Sequence, residues 1–328
     1  MNPFRFATAP DAASAVAAVH PDRGAYYIAG GTNILDLMKI NVESPALLVD
    51  ITHLPLRGID ATAGGGVRLG ALATMADVAD AAAVKGGFPV VSQALLASAS
   101  PQLRNMATIG GNIMQRTRCA YFRDTSQPCN KRKPGLGCSA IGGENRQHAV
   151  IGGSDHCICT HPSDLAVSLL AVDALVHVRG SKGARTMPLE KFYVLPGNTP
   201  NREHVLEWGD LVEAIELPPS AHARRSAYLK VRDRASYEFA LVSVAAALDV
   251  SAGTIRGARV ALGGVAPNPW RSHAAEAALI GKAPAGAAFA AAAAAAVRGM
   301  RGYGRNDFKI ALTQRSVVRA LQMAGGAA

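Results

Sequence analysis

ATIGGNIMQRTRCAYFRDTSQPCNKRKPGLGCSAIGGENRQHAVIGGSDHCICTHPSD, Ala107 to Asp164, is the stretch on which the reading of this chain turns. It opens on a Gly-Gly turn and holds all five cysteines of the chain: Cys119, Cys129, Cys138, Cys157 and Cys159. An odd number fits a disulfide framework poorly. In a large chain of intracellular type, clustered cysteines point to metal or redox chemistry. The segment has few apolar side chains and many turn formers, so it cannot easily hold itself together. Ligation would fix it, because binding free energy is folding free energy for such a segment.

The spacing leaves the metal open. Nine residues separate Cys119 from Cys129, eight separate Cys129 from Cys138, and eighteen separate Cys138 from Cys157. Zinc sites prefer gaps of about two to four residues within a ligand pair, and the compact ferredoxin spacing is also missing. Zinc with His156 or His161 replacing a thiolate, an iron–sulfur cluster, and a loop of free buried cysteines all remain. Arg116, Arg118, Arg123, Lys131, Arg132 and Lys133 surround the cysteines in sequence, and positive neighbours would stabilise the net negative charge of a thiolate-bound cluster. If His156 to Thr160 is extended, Cys157 and Cys159 point to one face. Physics alone does not choose between them.

Outward from this stretch lie two similar loops. Gly30-Gly31-Thr32-Asn33 follows the apolar strand candidate Tyr26 to Ala29 and precedes a helical Ile34 to Met38. Consecutive glycines let backbone N–H groups turn toward one anion, and the helix adds a partly positive N-terminus. Thr108-Ile109-Gly110-Gly111-Asn112 repeats the recipe. Two such loops suit a dinucleotide diphosphate gripped from both sides. The only Rossmann look-alike, Gly135 to Ala140, lacks a leading strand and a following helix and reads as loop.

The first half alternates strands and helices. Further strands are expected at Ala46 to Ile51, Val67 to Leu72, Ala174 to Val178 and Asp210 to Leu217. Helices are expected after a Thr74 cap, over Phe88 to Ser98, and over Asp164 to Asp173 behind a Ser163 cap, with Leu165, Leu169 and Leu170 on one face. Pro218-Pro219 marks a boundary. Beyond it, Ala227 to Val231, Ala240 to Val250 and Arg256 to Leu262 suggest an antiparallel sheet. Helices His273 to Ile280, Ala287 to Arg298 and Asp307 to Met323 follow, the last capped by Asn306. Strands then helices argue for an α+β unit.

At 328 residues the chain is long enough for two or three domains. It is 49% hydrophobic and 18% charged, with no apolar run of membrane-spanning length. The first residues, Met1 to Asp11, carry no basic segment followed by an apolar one, so no secretory signal is expected in the chain itself. The net charge of +10 is scattered, with denser spots at Arg116 to Lys133 and Arg224 to Arg234. Aromatics are only 5% and do not interleave with it, which argues against nucleic acid and for an acidic partner or anionic cofactor. No nucleophile–base pair suggests hydrolysis or group transfer, so no catalytic side chain is assigned.

Four segments carry a resemblance: Ile28 to Lys39 (IAGGTNILDLMK), Ala107 to Gln115 (ATIGGNIMQ), His161 to Ala174 (HPSDLAVSLLAVDA) and Lys230 to Leu248 (KVRDRASYEFALVSVAAAL). Over essentially its whole length the chain resembles the FAD-binding subunits of the molybdenum hydroxylases, the xanthine dehydrogenase and aldehyde oxidoreductase group. The insertion from Arg118 to Cys138 is most similar to the periplasmic aldehyde oxidoreductase branch, whose flavin subunit carries an extra [4Fe-4S] cluster. The xanthine dehydrogenase and hydroxybenzoyl-CoA reductase types are the alternatives.

The resemblance implies an α+β architecture. A two-lobed FAD-binding domain of the vanillyl-alcohol-oxidase-like type would span 1–220, with lobes 1–55 and 56–220 and an iron–sulfur insertion at 116–160. A small α+β domain, a three- to four-stranded antiparallel sheet plus helices, would span 221–328. It implies FAD held by Ile28, Ala29, Gly30, Gly31, Thr32, Asn33, Ile34 and Leu35, and by Thr108, Gly110, Gly111 and Asn112. Asp164 would accept hydrogen bonds from the FAD sugar or ring region, Lys230 would lie near the flavin and Tyr237 beside the isoalloxazine. Read from the residues alone, Asp164 is equally a first-turn helix acid, Lys230 a surface cation and Tyr237 a core strand residue. The implied cluster ligands are Cys119, Cys129, Cys138 and Cys157, with Cys159 outside the set. The implied partners are a molybdopterin-binding large subunit, a small subunit with two [2Fe-2S] clusters, in a heterotrimer or its dimer, and an external electron acceptor. Export to the periplasm would then depend on a partner subunit; without one the chain stays cytoplasmic. The rival of another class is a zinc-stapled interaction subunit whose glycine loops are ordinary turns.

Overall fold

The computed structural model describes residues 1–326. Three sheets organise it. The first is parallel, in the order β1-β3-β2, from β1 (Arg5–Thr8), β2 (Ala25–Ile28) and β3 (Leu47–Asp50). Central β3 buries both Leu48 and Val49, which point to opposite faces of the sheet. The second is antiparallel, in the order β4-β5-β8-β6-β7, from β4 (Ile59–Ala61), β5 (Val67–Gly70), β6 (Leu175–Gly180), β7 (Gly183–Pro188) and β8 (Leu211–Leu217). Opposite the step from His177 to Val178, Glu213 is left unmatched on β8. That bulge breaks the two-residue alternation and lets Leu211 and Val212 both be buried.

β8 ends before Pro218-Pro219, and the third sheet follows. It runs β12-β11-β10-β9, from β9 (Ser226–Val231), β10 (Val242–Ser251), β11 (Thr254–Gly263) and β12 (Trp270–Arg271). One face packs Val242, Val244, Ala246 and Leu248 under the helices His273–Leu279, Gly286–Ala296 and Phe308–Gly325. The other sets Tyr228, Ala245 and Ala261 into the core shared with the second sheet. Small alanines let the strands approach on both sides, so β10 reads as an apolar run rather than an alternation. The α+β architecture and the C-terminal antiparallel sheet with helices are as expected, with the ends of the expected strands shifted by at most two residues.

Two expectations need correction. The helix behind Ser163 is Asp164–Leu170, three residues short of Asp173, and all seven of its residues are buried. It lies inside the shared core, so it needs no polar face. Asp173 turns away with φ of 52° and pairs with Arg259 and Arg271. Asn306 does not cap the last helix, which begins behind Asp307 with no side-chain cap. It is fully buried instead, and its Nδ2 donates to the carbonyls of His148 and Ala149 (3.2 and 3.0 Å). By contrast, Thr74 and Ser163 cap as their sequences indicate, accepting from Asp77 N and Ala166 N. No helix among the described residues is long and apolar enough to cross a membrane.

Candidate functional site

The first glycine loop leaves its amides free. The backbone N–H groups of Gly30, Gly31, Thr32, Asn33 and Ile34 find no backbone acceptor. Gly31 sits at φ of +71°, a left-handed conformation that glycine adopts at no steric cost. Asn33 Oδ1 accepts from Arg116 N (3.3 Å), while its Nδ2 is buried with no partner. Buried donors without acceptors are rare, and an anion is the acceptor this set suits. Ile28, Ala29, Ile34 and Leu35 flank the run, half-buried.

The second loop is built differently. Thr108 caps the short helix Ile109–Ile113, so Gly110 and Gly111 lie inside a helical turn. Gly110 N donates to Ala71 O, Gly111 N to Thr108 Oγ1 and Asn112 N to Thr108 O. Here Gly110 permits close packing, because a Cβ would stand 2.8 Å from Ala71 Cβ. The two loops nevertheless meet: a Cβ on Gly30 would lie 1.9 Å from Met106 O. Ser163 Oγ donates to Asn112 Oδ1 (2.5 Å), which ties the second loop to the helix of Asp164.

Asp164 and Lys230 find each other. Their ion pair is 2.8 Å, with side chains 6% and 4% exposed. Asp164 also accepts from Ser98 Oγ (2.9 Å) and Tyr228 OH (2.6 Å), while Lys230 also donates to Ala97 O. Asp164 still lines a cleft of about 260 Å³, together with His161 and Ser163, Phe239 and Gly264, and Arg118, Arg146 and His148 of the insertion. Tyr237 is not part of that wall. It is 55% exposed, at φ of 54°, with the Arg234 guanidinium 5.7 Å from its ring.

All five cysteines line one small cavity, together with Asn130, Lys131 and His156. The insertion reaches this with little regular structure: one turn of helix, Ala120–Arg123, and isolated bridges between Cys129 and Cys138 and between Ser154 and Cys157. Asn130 Oδ1 clamps the intervening turn by accepting from Gly135 N and Gly137 N. Among the described residues, no three His, Cys, Asp or Glu side chains converge as they would around a single metal ion. His161 faces the cleft and packs edge-on against Tyr193. Free space among the thiols is about 10 Å³.

Charge in this cavity is arranged around Lys131. Its ammonium is buried, donates to Pro200 O (2.8 Å) and pairs with Glu203 (3.0 Å). Burial alone would lower its pKa, but neighbouring Cys159 and Glu203 reverse this and push it up. Burial pushes the Cys119 thiol up to about 12. A hydrogen bond shared by Cys157 and Cys159 couples the two thiols, raising the former and lowering the latter. Sequence reading missed His148, whose Nε2 lies 3.1 Å from Cys119 Sγ. Burial, with Lys309 nearby, lowers its pKa to about 4. It also missed Glu43 and Glu203, which hold Arg116 between them. No local signal could have found partners so distant in sequence.

Family profiles cover nearly the whole chain. Residues 2–220 match the FAD binding domain in molybdopterin dehydrogenase, and residues 226–324 match the CO dehydrogenase flavoprotein C-terminal domain. The chain belongs to this family of flavin subunits. This flavin subunit is thus the flavin component of an oxidoreductase complex. It is 46% identical over 324 residues to the aldehyde oxidoreductase FAD-binding subunit PaoB of Escherichia coli K12, covering 98% of each chain. It is 28% identical over 304 residues to the carbon monoxide dehydrogenase medium chain of Hydrogenophaga pseudoflava, covering 90% of this chain and 88% of that one. A solved structure of carbon monoxide dehydrogenase from the same organism, lacking the Mo-pyranopterin moiety, superposes with a TM-score of 0.77 at 29% identity. It covers 100% of this flavin subunit and 99% of that chain.

Proposed function

We propose that this flavin subunit is the electron-transfer subunit of a molybdenum-dependent aldehyde oxidoreductase, and that its cysteine insertion holds a [4Fe-4S] cluster. The observation that carries the substrate class is 46% identity along 98% of both chains to a subunit named for aldehyde oxidation, against 28% for the carbon monoxide dehydrogenase chain. The cluster reading is supported by five cysteines lining one cavity beside a buried cation. Four thiolates leave a cluster net negative, and Lys131 offers the compensating charge.

FAD supplies the redox chemistry when bound. The chain's own residues bind and orient. The free amides of Gly30 to Ile34 and the orphan Asn33 Nδ2 suit the diphosphate. Asp164 ties the helix behind Ser163, which borders the cleft, to Lys230 and Tyr228 of β9 and to Ser98. Tyr237 stands exposed, two residues from Phe239 of the cleft wall. Electrons would arrive from a small subunit bearing two [2Fe-2S] clusters, after hydroxylation on a molybdopterin-binding large subunit, and leave to an external acceptor. A partner carrying a folded-protein export signal would place the complex in the periplasm, which cell fractionation tests.

The decisive experiment is anaerobic purification of the complex followed by flavin, iron and zinc analysis and an aldehyde oxidation assay. Flavin is expected at one per chain, with about four iron atoms beyond those of the small subunit. Zinc at the cysteines without that iron would overturn the cluster; a flavin-free preparation would overturn the rest.

A further inference from the structure

We propose that His148 is a positioning residue for Cys119: it donates a hydrogen bond from Nε2 to Cys119 Sγ and so sets how readily the group held by the thiols accepts an electron. This rests on the cluster reading above. Three observations carry it. First, Nε2 lies 3.1 Å from Sγ, within hydrogen-bonding range for sulfur, and His148 is only 6% exposed.

Second, Cys119 is the one residue that lines both the thiol cavity and the larger cleft, and His148 lines the cleft beside it. Of the five thiols, Cys119 is therefore the one at the boundary between the cluster cavity and the cleft that Asp164 borders. A group on the cleft side of Cys119 controls the polarity that this sulfur experiences.

Third, His148 is held from outside the insertion. Its carbonyl accepts from Lys309 Nζ (3.0 Å) and Asn306 Nδ2 (3.2 Å), both fully buried, and its N–H donates to Asn145 O (2.9 Å). Lys309 Nζ also donates to Gln147 O and Gly264 O. The C-terminal domain thereby fixes the backbone that aims the imidazole. This also assigns work to two buried polar side chains that the flavin site does not use.

The chemistry sets the direction. A ligating thiolate can only accept, so the matching tautomer carries its proton on Nε2. His148 Nδ1 is buried and unpartnered, and an unpaired ring lone pair there costs less than an unpaired N–H. An N–H donated to a ligand sulfur stabilises the more negative, reduced state and raises the potential.

The test uses the assembled complex with His148→Phe, which removes the donor and fills the space, and His148→Gln, which retains an N–H. Iron and flavin contents are measured first, and the [4Fe-4S] midpoint potential is then followed by anaerobic EPR titration. The Phe variant should shift to lower potential while the flavin potential stays put, and the Gln variant should recover most of the difference. Loss of iron in the Phe variant with retention in the Gln variant also supports the donor role. An unchanged midpoint in an iron-replete Phe variant overturns it, as does an equal shift in both variants or loss of iron in both. Absence of cluster iron from the wild-type complex is a different failure, that of the cluster reading itself.

Discussion

Asp164→Asn is the substitution that most sharply separates holding the fold from touching the cofactor. The carboxylate faces Lys230 at 2.8 Å with both side chains almost wholly buried, and it takes two further hydrogen bonds, from Ser98 and Tyr228. Removing one partner of such a pair leaves an uncompensated charge and costs about 3–5 kcal/mol. For a domain of this size each kcal/mol moves the melting temperature by about 2–4 °C, so a fall of roughly 6–20 °C is expected. Lys230→Met should cost a similar amount, because it strands the carboxylate. The Asp164→Asn/Lys230→Met double variant removes both charges and should recover most of the loss. Melting of the complex and flavin release on denaturation are read together for all four proteins. If the double variant melts no higher than the worse single one, the pairing argument fails. If it melts like wild type but carries no flavin, Asp164 acts on FAD directly, as the resemblance implies.

Gly30→Ala forces the two glycine loops apart, since the new Cβ would meet the Met106 carbonyl at 1.9 Å. Flavin occupancy should fall steeply, with about 1–3 kcal/mol of destabilisation from overpacking, and full occupancy by fluorescence would contradict the placement of the diphosphate. Lys309→Met strands three buried carbonyls and should cost about 3 kcal/mol or more in chemical denaturation. Burial lowers Lys309 to about 7 from its usual 10.5, so across that window the unfolded chain binds the extra proton. This group's contribution to stability therefore rises with pH between those values and is lost as pH falls through about 7. The variant should flatten that part of the stability profile, and an unchanged slope would reject the assignment. Cys129→Ser should lose the cluster iron, whereas Cys159→Ser should keep it; the reverse result in an iron assay would exchange the ligand roles.

Strands with a buried face were legible because burial leaves a pattern. β3, β5, β6, β8 and the three long strands of the third sheet all lie where the sequence places them. β1, β4, β7 and β12 have no counterpart in the sequence reading, and each lies at an edge of its sheet; the edge strands β2 and β9, which bury residues, were legible. β1 is exposed along its whole length and β7 nearly so. An edge strand with no buried face carries no alternation to read. The helix Asp164–Leu170 failed differently: its cap was visible in Ser163, but its end was not. It closes locally: Asp173 takes the left-handed conformation (φ 52°) and Ala174 N donates back to Leu169 O (3.1 Å), a turn that no glycine or asparagine announces.

The site divides along the same line. Sequence alone determined that two glycine turns and a run of five cysteines exist, because residue identity and short spacing carry that information. Only the tertiary structure decided that the first turn offers free amides while the second spends its own on Ala71 and Thr108. It also decided that Asp164 faces Lys230, and that His148 stands beside Cys119 under the hold of Asn306 and Lys309. The physical reason is separation along the chain. Turn geometry is local and is written in neighbouring residues, whereas the partner of a buried charge or an aimed imidazole is chosen by packing between segments that the sequence keeps far apart.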